Sequence, residues 1–436
     1  MEIDYSRYSF KDFENIPNLD IHERANAHKK YVDHLREKGF MNYRLLSTSP
    51  CGPEIELAEQ GYIKKGKYVS FVSNDYLGFT QHPQVKNAVI SSIKKYGTGA
   101  GSSPLIGGYF DYHQDLEDKI SSFFGRPKGS TLVYTTGYTS NSASLLSLLK
   151  KEDIAIVDMA VHASVFEGLS GTTIKRFQHN NLEVLERILA SSRKSYRTKM
   201  VIIDGVYSQD GDLAKLDEII EITHKYEGVL MVDDAHGIGV IGKTGRGAME
   251  YFNVLDKVDI ITGTFSKTLA NIGGYFVAKN PELISYLQIQ SRQYAFSAAA
   301  MPAIAGVAKA IELIDEEPHW QKCLWENINY YKKGLLAIGL DIGNTGSAII
   351  PVKIGDPEKN SLVGKLLLEN GIYTNPIMYP AVSLKDSRIR MSLMATHTKE
   401  HLDKALNVFE YVSKKLEIAK HLQTPNFGYE KKKNSL

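Results

Sequence analysis

The sequence predicts an α/β protein: a large domain on a mostly parallel sheet flanked by helices, followed by a smaller α+β domain. Three observations carry this reading. The chain has 436 residues, more than one hydrophobic core usually serves, so a large unit with a smaller companion is expected. Through its middle, short β-branched runs alternate with longer amphipathic stretches, the pattern of strands buried beneath helices on both faces. From about Pro302 the texture changes to long helical segments with isolated strands between them.

Residues 1–61 read as an N-terminal extension with one helix, IHERANAHKKYVDHLREKG, expected to pack on the smaller domain or on a partner subunit. The large domain is expected over 62–301. Its strand-then-helix pairs are TLVYTT before SNSASLLSLLKK, IAIVDM before HASVFEGL, and MVIIDGVY before LAKLDEIIEITHKY; VLMVDD, DIITGTF and GGYFVA follow. The smaller domain, 302–420, opens with the helices AIAGVAKAIELID and WQKCLWENINYYKKGLLAIG. It continues with the strands SAIIPVKI and SRIRMSLMA and closes on LDKALNVFEYVSKKL. Residues 421–436, ending in EKKKNSL, read as a solvated lysine-rich tail.

Composition narrows the function. Apolar residues make up 43% and charged residues 23%, which is ordinary for a globular chain and excludes disorder as the main state. Lysine plus arginine number 52 against 50 for aspartate plus glutamate. That balance gives no surplus to hold nucleic acid or anionic membrane without a local cluster, so neither is an expected partner. The two cysteines, Cys51 and Cys323, form neither a disulfide framework nor a zinc spacing, and no metal is expected. The polar N-terminus lacks the apolar core of a signal peptide, and no stretch reaches bilayer length. A soluble, cytoplasmic protein is expected.

Ligands of open parallel sheets bind beyond the carboxyl ends of the strands, so the polar residues there are the candidates for a site. After TLVYTT, Gly137 and Tyr138 open a helix whose N-terminal amides and dipole suit a phosphate. His162 follows IAIVDM, and Ser208 follows the strand VIIDGVY. Asp233 ends VLMVD with His236 three residues on, and DIITG runs into Thr264 and Lys267. Each has an ordinary structural reading: His162 as a helix cap, Asp233 beside Asp234 as half of a cap or ion pair, Ser208 as turn chemistry, Lys267 as a solvated lysine. Together they describe one ligand, pyridoxal 5′-phosphate. Its lysine forms a Schiff base, a histidine stacks on its ring, and a carboxylate keeps its ring nitrogen protonated.

A competing motif is the GxGxxG match Gly237-Ile238-Gly239-Val240-Ile241-Gly242, which follows a strand and suggests an NAD(P)-dependent oxidoreductase. It lies past the middle of the chain, and HGIGVIGKTGRG has no amphipathic helix after it. A glycine-rich loop is the better reading.

In chain order, SNDYLGF, YGTGAGSS, HQDLEDKIS, TTGYTSN, VDMAVHAS, DGVYSQDGD, VDDAHGIGVIGKTGRG, GTFSKTLANIGGY, FSAAAMPA and PAVSLKDSRIRMSLMATHT resemble the α-oxoamine synthases from roughly Tyr62 to Lys415. These are pyridoxal-phosphate enzymes of fold type I that condense an amino acid with an acyl-CoA thioester and release carbon dioxide. The resemblance implies that Lys267 is the Schiff-base lysine, that Asp233 partners the pyridine nitrogen, that His236 bonds the ring oxygen and that His162 stacks on the ring. Gly137, Tyr138, Ser208 and Thr264 are implied on the phosphate side or at ring substituents. Ser297 is implied to reach the phosphate across the interface of a homodimer with shared active sites. Asn74 and Arg390 are implied at the substrate carboxylate, which an arginine fork grips bidentately; Arg388 and Arg390 fit equally by composition and share a strand face.

The run NPIMYPAVSLKDSRIRMSLMATHT most resembles the bacterial serine palmitoyltransferase branch, with Ala381 where the 8-amino-7-oxononanoate synthases carry threonine. That implies L-serine with a long-chain acyl-CoA and a place in sphingolipid synthesis. An arginine of that branch is missing near Ser103 or Pro104, which keeps L-alanine with a pimeloyl thioester, a biotin-pathway reaction, as the alternative.

Overall fold

The computed structural model describes residue 5 and residues 8–419; the expected tail at 421–436 lies outside the described residues. A 3₁₀ turn at Phe10–Phe13 precedes the first described α-helix, Ile21–Lys38. Asp20 caps it by accepting from the His22 and Glu23 amides, and Gly39, at φ 74°, ends it. The extension packs on the C-terminal region: Lys365 Nζ donates to the Lys38 carbonyl at 3.0 Å and the Tyr43 hydroxyl to the Pro376 carbonyl. Two strands follow, β1 (Glu54–Leu57) and β2 (Gly66–Ser70).

Seven strands then build the central sheet: β3 (Thr131–Tyr134), β4 (Ile154–Asp158), β5 (Thr173–Phe177), β6 (Lys199–Asp204), β7 (Val229–Asp233), β8 (Ile260–Thr264) and β9 (Gly274–Ala278). Their order is β3-β9-β8-β7-β6-β4-β5. Pairing is parallel from β8 to β5, and β9 runs antiparallel to both of its neighbours. All of β4, β6 and β9 is buried, which their unbroken apolar runs foretell. Strand β5 has no place in the sequence reading. It is a half-exposed edge whose Lys175 and Arg176 interrupt the apolar run.

The C-terminal region adds β10 (Ile349–Gly355), β11 (Ile372–Tyr373), β12 (Asn375–Ile377) and β13 (Ser387–Ser392). Strands β10, β13 and β12 form an antiparallel sheet with β13 central, while β11 joins β2 and β1 in a third sheet. The elements on either side of residues 62 and 302 pack together. Strand β2 bonds β11, and the helix Ala305–Glu316 packs on the helices Pro83–Tyr96 and Asp111–Phe123. One continuous apolar core joins Val69, Val201, Phe265 and Ile389 across these units. No helix among the described residues is long and apolar enough to cross a membrane.

Candidate active site

Register brings the chemistry to one edge of the central sheet. Asp204 at the end of β6 pairs with Asp233 at the end of β7, so both carboxylates stand level where the chain leaves the sheet. A cavity of about 210 Å³ opens there, and Gly137, Tyr138, His162, Ser208, Asp233, His236, Thr264 and Lys267 all line it. The strand-end reading of the sequence therefore converges on one place.

Lys267 follows β8, and its Nζ lies 2.8 Å from His236 Nε2. Burial pushes the ammonium down to about 8 against the pull of Asp233, with Arg390 adding to the fall. Burial, then the charges of Lys267 and Arg390, hold His236 well below the usual histidine range, so its ring is neutral. Its Nδ1 lies 2.6 Å from the Tyr76 hydroxyl.

Asp233 and Asp234 divide two roles. Asp233 faces the cavity and accepts from Asn141 Nδ2 at 2.6 Å and from the Ala235 amide at 3.1 Å. Asp234 turns into the glycine-rich loop, accepts from the Ala248 amide at 2.8 Å, and is pushed up to about 7 by burial. A Cβ added at Gly237 would stand 2.1 Å from Asp234 Oδ1, and Gly239 and Gly242 take φ of 74° and 87°. The GxGxxG match is thus a loop wrapped on a buried carboxyl, and no helix starts at it to face a dinucleotide.

His162 both caps a helix and lines the cavity. Its Nδ1 accepts from the Ser164 amide at 3.3 Å and lies 2.8 Å from Ser164 Oγ. Asn141 Nδ2 donates to Ser164 Oγ at 3.0 Å as well as to Asp233. One buried amide thereby joins the residue that His162 caps to the Asp233 carboxylate. The sequence reading gives Asn141 and Ser164 no role of their own. Asp204 is missed too: burial, then the charge of Asp233, push its carboxyl well above the usual range.

The helix Gly137–Leu148 points its N-terminus at the cavity, with Thr136 as its cap. A Cβ at Gly137 would lie 2.6 Å from Thr264 Cβ, so only glycine lets these two loops meet. Thr264 Oγ1 donates to the Gly273 carbonyl at 3.1 Å. The Tyr138 hydroxyl donates to Glu167, and its ring stands edge-on to His162 at 5.9 Å.

The structure separates the two arginines. Arg388 is engaged by an ion pair with Asp210 and donates to the carbonyls of Gln209 and Asp386. Arg390, only 6% exposed, meets no carboxylate among the described residues. It donates to the Ser208 carbonyl at 2.5 Å, to Ser392 Oγ at 3.0 Å and to Asn74 Oδ1 at 3.2 Å. A buried guanidinium without a counter-ion calls for an anion. Ser297 stands apart from this chain's cavity; it is exposed, and its hydroxyl donates to the Gln293 carbonyl.

The donor set fits pyridoxal 5′-phosphate. A helix N-terminus with a glycine cradle suits the phosphate, a flat histidine and a carboxylate suit the ring, and a lysine of lowered pKa suits the aldehyde. Asn141 Oδ1 and Asp204 Oδ1 are buried without a partner among the described residues, as expected of a wall that completes its hydrogen bonds with a ligand.

Fold and site together define a fold type I pyridoxal-phosphate enzyme. Residues 66–409 match the family described as aminotransferase class I and II. An 8-amino-7-oxononanoate synthase of Thermoanaerobacter pseudethanolicus is 37% identical over 393 residues, 89% of this chain and 97% of the relative. A serine palmitoyltransferase of Sphingobacterium spiritivorum is 38% identical over 395 residues, 90% of this chain and 96% of the relative. A solved serine palmitoyltransferase from S. paucimobilis, with a bound PLP–myriocin aldimine, superposes with a TM-score of 0.86 at 27% identity, covering 92% of this chain and all of that one. The chain belongs to the aminotransferase class I and II family, and within it to the pyridoxal-phosphate-dependent acyltransferases of the α-oxoamine synthase type.

Proposed function

We propose that the protein condenses L-serine with a long-chain acyl-CoA, with loss of carbon dioxide, as a cytoplasmic homodimer serving sphingolipid synthesis. The observation that carries an amino-acid substrate is Arg390, a buried guanidinium whose partners among the described residues are all neutral, linked to Lys267 through Asn74, Tyr76 and His236. Bound pyridoxal 5′-phosphate supplies an aldehyde for the lysine and a ring that accepts the electrons of the substrate α-carbon. Arg390, steadied by Ser208 and Asn74, grips the substrate carboxylate. Lys267 Nζ, lowered toward neutrality, takes the α-proton. The free ring nitrogen of His162 donates toward the thioester oxygen, while its Nδ1 is occupied by Ser164. Asp233 holds a proton on the ring nitrogen of the cofactor.

A second copy as partner is supported by an exposed apolar face. Ile106 is 77% and Phe296 68% exposed, and their segments are joined by the bond from the Ala299 amide to the Ser102 carbonyl at 3.0 Å. Ser297 sits in the same stretch, so a second copy covering this face brings that hydroxyl toward the phosphate of its neighbour. Both cysteines are free, which suits a reducing compartment.

L-Serine and a long chain rest on the likeness of residues 375–398 to the palmitoyltransferase branch. L-Alanine with a pimeloyl thioester is the second reading, favoured by Ser103 and Pro104 where that branch has arginine and by the 37% identical synthase. A panel of acyl-CoA thioesters crossed with glycine, L-alanine and L-serine, scored by thiol release and product mass, tests the choice. Each buried methylene adds roughly 0.8 kcal/mol, about fourfold in affinity, so activity should climb from eight to sixteen carbons. Preference for the dicarboxylate thioester with L-alanine would overturn the serine reading and leave the family standing.

A further inference from the structure

His179 stands outside the cavity, just past edge strand β5, yet it touches both loops that wall it. Its Nδ1 lies 3.2 Å from each oxygen of Asp158, and its Nε2 lies 2.8 Å from Asp212 Oδ2. Asp158, fully buried at the end of β4, also accepts from the Ala160 amide at 2.8 Å and the Asn180 amide at 3.0 Å. It therefore fixes the turn that carries His162. Asp212 closes the loop after β6: its carbonyl accepts from the Tyr207 amide at 3.0 Å, and the Gly211 amide donates to the Tyr207 carbonyl at 2.8 Å. Within that loop sits Ser208, which lines the cavity and gives its carbonyl to Arg390.

We propose that His179 is a positioning residue for the reaction: as an imidazolium bonded to Asp158 and Asp212, it locks the His162 turn to the Ser208 loop and so sets the ring-stacking wall against the carboxylate-binding wall. The charge follows from geometry. A neutral imidazole has one donor and one acceptor nitrogen, and an acceptor here would face a carboxylate oxygen with no proton between them. Burial on its own would lower the ring's pKa, but the hydrogen bonds and charges of the two carboxylates outweigh it and hold His179 up at about 10. The remaining close neighbours are Tyr207, edge-on at 4.2 Å, and Asn180 Nδ2, which lies 3.3 Å from His179 Nε2 and 3.4 Å from Asp212 Oδ2. The Asn180 side chain braces the same junction by donating to the Leu213 carbonyl at 3.2 Å.

The proposal rests on the functional reading above where it speaks of substrate, so the test has arms that do not depend on it. His179→Gln, which keeps donors for only one of the two carboxylates, is compared with the wild-type holoenzyme in two readouts. These are the L-serine concentration that half-saturates the change in the visible band, and the visible circular dichroism of the bound cofactor. The expected result is a tenfold or larger rise in half-saturation and at least a halving of the dichroism, with cofactor still bound. Leu185→Ala, in the buried face of the adjoining helix, serves as a control that lowers thermal stability and moves neither readout. Wild-type half-saturation and dichroism in His179→Gln, whatever its melting temperature, overturn the proposal. Should that variant not fold, Asp212→Asn at the outer end of the bridge carries the same readouts, with about a threefold shift expected and no shift overturning. Wild-type protein labelled with ¹⁵N-histidine should keep one ring protonated on both nitrogens at pH 8.5, and finding none overturns the bridge without any variant. If the wild-type band answers to none of glycine, L-alanine or L-serine, the functional reading fails instead, and the dichroism and ¹⁵N arms still decide on the bridge.

Discussion

The contact between Lys267 Nζ and His236 Nε2, at 2.8 Å, begins a line of hydrogen bonds that ends on Arg390. His236 Nδ1 donates to the Tyr76 hydroxyl at 2.6 Å, that hydroxyl donates to Asn74 Oδ1 at 3.2 Å, and Arg390 Nη2 donates to the same oxygen at 3.2 Å. The direction is consistent throughout: a cationic lysine donates to Nε2, which leaves the proton on Nδ1. The group proposed to move the α-proton and the group proposed to grip the carboxylate are therefore set against each other by Asn74 and Tyr76, both in the loop after β2.

Tyr76 is fully buried, so Tyr76→Phe leaves His236 Nδ1–H and part of Asn74 Oδ1 without a partner. Such groups cost about 1–3 kcal/mol each. The expected outcome is a melting temperature lower by several degrees and a turnover reduced about tenfold, with cofactor still attached to Lys267. Steady-state kinetics and thermal melts check this; full activity would show that the line of bonds does not matter to the reaction.

Because Lys267 is held at about 8 by burial, the cofactor-free protein should load pyridoxal 5′-phosphate in a pH-dependent way. Only the neutral amine attacks the aldehyde, and that fraction grows about tenfold per pH unit below the pKa and levels off above it. Loading followed by stopped-flow absorbance from pH 6 to 9.5 should rise and then flatten near pH 8. A rate still climbing at pH 9.5 would place Lys267 in the ordinary lysine range. Borohydride reduction and peptide mass spectrometry should find the pyridoxyl group on Lys267 and on no other lysine.

Much of the central sheet is legible in the residues because β4, β6 and β7 are short apolar runs rich in valine and isoleucine that end in aspartate before polar turns. Strand β5 is not, since Lys175 and Arg176 interrupt its apolar run at the sheet edge, and the antiparallel direction of β9 leaves no mark in a residue pattern. Eight expected site residues converge because each sits where a strand ends. Asn141 and Tyr76 escape notice because their importance lies in the partner, Asp233 or His236, brought from about a hundred residues or more away. The choice between Arg388 and Arg390 is likewise tertiary: it turns on Asp210, which consumes one of them.

That division gives paired variants. Arg390→Lys removes the planar fork but keeps the charge, so the half-saturating amino-acid concentration should rise at least tenfold with cofactor binding unchanged. Arg388→Lys loses part of the clamp on Gln209, Asp210 and Asp386 and should lower stability by about 1–3 kcal/mol while shifting half-saturation less than threefold. Visible titrations and thermal melts on both proteins separate the roles. The reverse pattern would make Arg388 the carboxylate-binding residue.

Asp233→Asn tests whether the carboxylate sets the electronics of the cofactor ring or serves only as a structural acceptor. Both of its oxygens accept now, one from Asn141 Nδ2 at 2.6 Å and the other from the Ala235 amide at 3.1 Å. An amide has one acceptor atom, so one of those donors must lose its partner, and the variant should be less stable by about 1–3 kcal/mol on any reading. The electronic role adds a second loss. A neutral amide cannot keep the ring nitrogen protonated, so turnover should fall by about a hundredfold or more with Lys267 still labelled by borohydride. Asn141→Ala separates the two effects: it removes the same 2.6 Å bond but leaves the charge, so it should match the loss of stability and reduce turnover only about tenfold. If Asp233→Asn and Asn141→Ala lose equal activity, Asp233 acts as a structural acceptor and the assignment of the ring partner is wrong.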